Sequence, residues 1–268
     1  MIFFHVIDCP DTGGNMGPEA FFDSDDVIIT PELLFGKREK IADVCIVTFS
    51  KEVYDHFLSA YESSEAAVLH AACGDVSVRK FTLHGKTVLI YLSYIGAPSA
   101  GTLLDEVRCL TGATRFIVFG SCGSLDSEAT AGRLIVPTAA YRAEGFSYHF
   151  VPPADYIEIR NHETVSDILI SHGYPVVKGR TWTTDAFYHE TVKCRDERRM
   201  EGCLCVEMEA SALEAICDYR GLDLFIFFFA GDLLDGEVWD PAELAHDKQT
   251  KHQLGCFSAA LTLAKELI

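Results

Sequence analysis

Four short segments of this 268-residue sequence combine residue types suited to chemistry. In Val206-Glu207-Met208-Glu209-Ala210-Ser211, two carboxylates flank a methionine directly after the apolar run Cys203-Leu204-Cys205-Val206. Carboxylates at the mouth of a buried strand can accept hydrogen bonds from sugar hydroxyls, with Met208 as a soft apolar wall. Acids are equally at home in the first turn of a helix, where they meet the positive end of its dipole. In Phe227-Phe228-Phe229-Ala230-Gly231-Asp232, an aspartate follows a phenylalanine-rich run. Desolvation there raises a carboxyl pKa and lets the group hold or deliver a proton near neutrality. The plainer alternative, a solvated loop acid, suits Asp235 and Glu237. In Phe119-Gly120-Ser121-Cys122-Gly123-Ser124, two glycines and two hydroxyls can present backbone N–H groups and a serine to an anion or a sugar, or can form an ordinary turn. The stretch Gly179–Tyr188 crowds aromatics and hydroxyls. Phe187 suits stacking on a planar base, whereas Trp182 suits core packing.

These segments need a frame. Apolar runs of strand length alternate with helical patterns. Strands are expected at Asp43–Phe49, Arg115–Phe119, Gly132–Pro137, Val176–Trp182, Cys203–Val206 and Leu222–Ala230. Val76–Leu83 and Thr87–Leu92, joined by His84-Gly85-Lys86, read as a hairpin. Helices are expected at Lys51–Tyr61, Ala97–Leu110, His162–Ser171, Glu207–Arg220 and Lys248–Ile268. Strands apolar on both faces and separated by helices imply a mostly parallel or mixed sheet covered on both sides. Ligands in such folds gather at the carboxyl ends of strands, where all four segments fall. There is no internal repeat and no linker. Residues 1–268 read as a single domain with residues 1–26 as an irregular arm.

Composition narrows the function classes. The chain carries 22 Lys and Arg against 40 Asp and Glu, a net charge of −18. That field repels a phosphate backbone or an anionic bilayer, so neither nucleic acid nor membrane is an expected partner. The ten cysteines sit mostly in apolar runs and form no CxxC pair, which fits buried reduced thiols and no metal site. The first residues lack a basic leader, and the apolar run Leu224–Gly231 is far shorter than the ~20 residues a span requires. A soluble, cytoplasmic protein is expected.

The ordered set Gly-Ser-Cys-Gly, Gly-Arg-Leu-Ile-Val-Pro, Asp-Ala-Phe-Tyr, Val-Glu-Met-Glu-Ala and Ala-Gly-Asp resembles the nucleoside phosphorylase family. That family includes uridine phosphorylase, hexameric purine nucleoside phosphorylase and the methylthioadenosine nucleosidases, and the likeness runs from about Asp43 to Ile268. It implies an α/β fold, a three-layer α/β/α sandwich with a twisted mixed sheet, built into a homodimer or hexamer. It implies no cofactor, a small-molecule nucleoside as partner, and inorganic phosphate as co-substrate. Residue by residue, Gly120 and Ser121 match the loop that touches phosphate and ribose, and Phe187 the aromatic of the base pocket. Met208 and Glu209 match the ribose-binding pair, with Glu207 the acid just before it. Asp232 matches the aspartate that protonates or hydrogen-bonds N7 of a purine leaving group. The implied reaction is cleavage of the N-glycosidic bond, with Glu209 and Asp232 catalytic and purine favoured over uridine.

The sequence departs from the family where phosphate binds. The Gly-Asp-Pro-x-Arg loop is absent from Thr30–Lys37, the arginine before the Gly-Ser loop is replaced by Val118, and the arginine donated across a dimer falls near Gly74-Asp75. A phosphate dianion needs charge-assisted donors. Lys37, Arg38, Arg79, Lys80 and Arg142 are the candidate substitutes, and water is the alternative acceptor. A non-catalytic nucleoside binder on the same scaffold is the rival from another class. A dinucleotide enzyme is disfavoured because no G-x-G-x-x-G follows the early strand.

Overall fold

The computed structural model describes residues 17–36, 38–71, 74–241 and 247–268. Its elements, in chain order, begin with α1 (Pro31–Phe35), β1 (Val44–Thr48), α2 (Lys51–Ala60), β2 (Ser63–Ala71), β3 (Gly74–Leu83), β4 (Lys86–Leu92), α3 (Ala97–Thr111) and β5 (Arg115–Ser124). They continue with α4 (Ser127–Thr130), β6 (Leu134–Ala143), β7 (Tyr156–Glu158), α5 (His162–Ser171), β8 (Val176–Thr184), α6 (Val192–Met200), β9 (Cys203–Glu207), α7 (Ala210–Arg220), β10 (Asp223–Leu233) and α8 (Asp247–Leu267).

The strands form one mixed sheet in the order β10-β6-β8-β9-β5-β1-β4-β3-β2, with β7 on β6. β10 also pairs with β5, in parallel over Asp223 to Leu233, so half of the sheet curls back on itself. The curl is closed by two short antiparallel contacts, Phe228 with Ile135 and Gly123 with Val206. This brings the ends of β5, β9 and β10 to one place.

Both faces of the sheet are covered, because β10 is apolar on both sides. Leu224, Ile226 and Phe228 join the cluster that includes Leu104 and Val107 of α3 and Leu213 and Ile216 of α7. Phe225, Phe227 and Phe229 join Phe57 of α2, Leu169 of α5 and Phe257 and Leu263 of α8. Each such side chain, fully buried, contributes about 1.5–3 kcal/mol. These are the three layers, α3/α7, sheet and α2/α5/α8.

The expected hairpin is β3–β4, with Leu83 opposite Lys86. His84 and Gly85 both have positive φ, 48° and 77°, the geometry of a two-residue turn that follows strand twist. Three differences bear on the site. β5 runs through the Gly-Ser-Cys-Gly segment instead of stopping at Phe119, because β10 pairs alongside it as far as Ser124. β10 extends past Ala230 to Leu233 through an irregularity between Ala230 and Asp232, so Asp232 lies in the strand and not after it. α7 begins at Ala210 instead of Glu207, because Glu207 is the last residue of β9 and Glu209 is the N-cap.

Candidate active site

Six strand ends converge on one cavity of about 180 Å³. β5 contributes Gly120 to Gly123, β9 and its following turn Val206 to Glu209, and β10 Phe228 and Asp232. The turn after β8 brings Phe187 and Glu190, and the segments after β1 and β4 bring Phe49 and Ile95. Gly120, Ser121, Phe187, Glu207, Met208, Glu209 and Asp232, all singled out in the sequence, therefore line the same space.

Two glutamates line the cavity, Glu207 and Glu209. Glu207 accepts four hydrogen bonds from the protein. Its Oε1 takes the hydroxyls of Thr183 at 2.6 Å and Thr181 at 3.2 Å, and its Oε2 takes the backbone N–H of Glu209 and Ala210, each at 2.7 Å. Burial raises its pKa against those donors. Glu207 thus satisfies the first N–H groups of α7 and fixes the turn that carries Met208 and Glu209. Its oxygens are spent on the protein, so its placement suits positioning more than the substrate contact expected from the sequence.

Glu209 is 7% exposed; its Oε1 accepts the backbone N–H of Gly96 at 2.6 Å, and the backbone at Met208 also acts on its carboxylate. Gly96 has φ 100° and precedes the first turn of α3, a conformation a side chain rarely adopts. Burial, and then the charge of Glu207, push the Glu209 carboxyl up to about 8, opposed by the Gly96 N–H. Glu209 lines the cavity beside Met208.

Asp232, which lines the same cavity, is 4% exposed and accepts the indole N–H of Trp239 on Oδ2 at 2.8 Å. Trp239 is held near it by paired backbone bonds between Leu233 and Asp240. Burial raises the Asp232 pKa and the Trp239 bond opposes the rise. Its Oδ1 packs beside Gly123, where an added Cβ would stand 3.3 Å away. Glu190 lines the cavity near Asp232, and burial, with the Asp232 charge, pushes its carboxyl up to about 7. Phe187, 42% exposed, sits in the same helical turn, Phe187–His189, that ends at Glu190. Trp182 is buried against Leu125, Cys203 and Val206.

Among the described residues no Lys, Arg or His lines this cavity, nor the adjoining cleft of about 250 Å³ that shares Gly120 and Ser121. That cleft holds Thr48, Ser50, Glu52 and Gln253 instead. Arg142 is committed elsewhere, to the Ser147 hydroxyl and the Pro152 carbonyl, each at 2.8 Å. Arg79 donates to the Ser63 carbonyl at 2.9 Å, Lys80 lines a separate cleft with Ser63, and Arg38 is exposed away from both cavities. Lys37 lies outside the described residues. None of the described substitutes reaches the place where phosphate was expected. No group of three or more His, Cys, Asp or Glu suited to a metal ion occurs among the described residues, and none of their helices is long and apolar enough to cross a membrane.

Glu190, Trp239 and Gly96 were not site candidates in the sequence, and Thr181 and Thr183 stood out only as hydroxyls of the stretch Gly179–Tyr188. Trp239 returns only by chain reversal, and Glu190 stands in the sequence as one acid among many.

Residues 43–267 match the model of the phosphorylase superfamily. The chain belongs to that superfamily. That is the family the resemblance implied, and a family of enzymes. It is 27% identical over 214 residues to a uridine phosphorylase of Haemophilus influenzae, covering 72% of this chain and 82% of the relative. It is 27% identical over 195 residues to a guanosine phosphorylase of Halorubrum lacusprofundi, covering 70% of each. Its fold is similar to that of a purine nucleoside phosphorylase of Toxoplasma gondii crystallised with immucillin-H, with a TM-score of 0.71 at 19% identity over 85% of this chain and 92% of that one. The α/β architecture with a mixed sheet is the fold of this superfamily member.

Proposed function

We propose that the superfamily enzyme described here cleaves the N-glycosidic bond of a purine nucleoside, with Glu209 at the sugar and Asp232 at the base. The observation that carries this reading is the shared cavity, lined by a buried glutamate and a buried aspartate whose carboxyl pKa values are both raised. Glu209, held by Gly96, accepts from a sugar hydroxyl. Met208 and Phe187 provide apolar walls. Asp232, whose acid form burial favours, donates in that form to N7 as the C–N bond lengthens, so the leaving base departs neutral. The ribosyl fragment develops positive charge, which favours the ionised form of the Glu209 carboxyl; a unit charge pair at ~5 Å is worth about 3 kcal/mol at an effective dielectric of ~20. Gly120 and Ser121 present N–H and hydroxyl groups to the acceptor.

The acceptor has two readings. The named relatives are phosphorylases, which supports phosphate. The absence of a cation among the described residues lining either space, together with Glu52, supports water, because a dianion there would meet only acids and neutral donors. Incubation with adenosine, inosine and uridine, with and without phosphate, separates them. Ribose 1-phosphate formed only with phosphate supports phosphorolysis, and free ribose at equal rates in both buffers supports hydrolysis. No base released from any of the three overturns the catalytic reading.

A further inference from the structure

Resting on that purine reading, we propose that Glu190 is a specificity-determining residue that reads the substituent at C6 of the base and selects a 6-amino over a 6-oxo purine. Three observations carry it. Glu190 lines the same cavity as Asp232, and no hydrogen bond or ion pair from another described residue reaches its carboxylate. Among the described residues Asp232 is hydrogen-bonded by Trp239 on Oδ2, while its Oδ1 lies beside Gly123, which also lines the cavity. No cation lines the space among the described residues. Two neighbouring carboxyl groups with no protein cation between them must find their donors on the ligand, since an unmatched buried polar group is costly.

The chemistry of the base then decides. When Asp232 addresses N7, the adjacent group on the same edge of a purine is the C6 substituent. A 6-aminopurine with a hydrogen at N7 offers two adjacent donors there, the N7–H and the amino group, which match a pair of carboxyl groups. A 6-oxopurine offers an acceptor oxygen at the second position, set against the lone pairs of Glu190. Uracil likewise presents O4 beside its N3–H. The plane of the base is set by Phe187, which shares the helical turn ending at Glu190. Stacking and edge recognition therefore move as one piece.

The test compares the unaltered protein with Glu190→Gln and Glu190→Ala. It measures kcat/KM for adenosine and inosine, and by calorimetry the dissociation constants of adenine and hypoxanthine. The unaltered protein should favour the 6-amino member of each pair. Glu190→Gln supplies an N–H donor that a 6-oxo group can accept, so the amino-over-oxo ratio should fall by at least ~10-fold, the scale of one hydrogen bond to a charged group. Glu190→Ala should also reduce the ratio, and because Glu190 bonds to no described residue and its raised carboxyl pKa costs stability near neutrality, melting temperatures should not fall below that of the parent. Ratios unchanged within ~2-fold in both variants, or an initial preference for inosine and hypoxanthine, would overturn the assignment. If no nucleoside is cleaved but adenine still binds with a Glu190-dependent preference, the catalytic reading falls and the base-reading role of Glu190 stands. If neither base binds, both fall.

Discussion

The indole N–H of Trp239 donates to Oδ2 of Asp232 at 2.8 Å across a chain reversal of seven residues. The bond does two things. It fixes the rotation of the carboxyl group, with Oδ1 beside Gly123, and it opposes the rise in pKa that burial causes. Removing the indole N–H by Trp239→Phe should therefore raise the Asp232 pKa further. If Asp232 acts as the proton donor, its acid form then survives to higher pH, and the alkaline limb of the kcat/KM profile moves upward. Loss of the fixed rotation should lower kcat by ~10-fold at the same time. A full pH–rate profile of the variant reads both effects, and an unmoved alkaline limb would remove Trp239 from the account.

Asp232→Asn keeps shape and hydrogen-bonding capacity but cannot deliver a proton. Purine nucleoside turnover should fall by at least ~100-fold, the usual scale for a lost general acid. Steady-state kinetics with the variant decides this, and an unchanged rate would sink the role given to Asp232.

Gly123 is where β5, β9 and β10 close on one another. An added Cβ would lie 2.3 Å from Leu234 Cδ1, 3.1 Å from Val206 Cγ1 and 3.3 Å from Asp232 Oδ1. Gly123→Ala must displace Leu234 and crowd the carboxylate. Overpacking of this kind costs about 1–3 kcal/mol. Thermal melting should drop by several degrees, and kcat should fall more than the melting shift explains, because the base end of the cavity is disturbed directly. Parental kinetics in a destabilised variant would contradict the described closeness of Gly123 to Asp232.

The acids of the cavity also set a pH dependence of stability. Glu209 is pushed up to about 8 and Glu190 to about 7, and the buried Glu214 of α7 is likewise pushed up to about 7. Below the ordinary carboxyl range both folded and unfolded chains hold these protons. Between about 4.5 and 8 the folded chain holds more protons than the unfolded one, so stability falls as pH rises through that window. The ligand-free protein should melt at a lower temperature at pH 8.5 than at pH 5.5, by at least about 5 °C. Glu209→Gln removes the largest single contribution and should flatten the curve. A melting temperature that rises over this range would contradict the burial assigned to these groups.

Much of the frame was legible because its signals are local. The buried strands read as apolar runs, and α5 matches its expected bounds, His162–Ser171, because its apolar period and Gly173 lie within one short stretch. β2 was not anticipated. It is an edge strand with an acid, two serines and three alanines, and it shows little of the alternation that burial on one face imposes. α6, Val192–Met200, was missed because its residues are mostly charged and no apolar stripe marks it. The site followed the same division. Residues at strand ends could be placed together by the general behaviour of α/β sheets, which is why Ser121, Glu209 and Asp232 were all candidates. Partners that arrive through tertiary folding carried no sequence signal. The Gly96 N–H reaches Glu209 across 113 positions, and Thr183 reaches Glu207 across 24. The extension of β10 to Leu233 was hidden because Gly231 and Asp232 read as the end of a strand, whereas pairing with β5 carries the strand past them.

The most direct test of the shared cavity is a crystal structure of Asp232→Asn soaked with adenosine, in which slow turnover preserves the bound nucleoside. The account predicts the sugar hydroxyls within hydrogen-bond distance of Glu209, the base against Phe187, and its N7 edge toward position 232 and Glu190. A nucleoside bound elsewhere, or bound here with the base at Glu209 and the sugar at position 232, would contradict it.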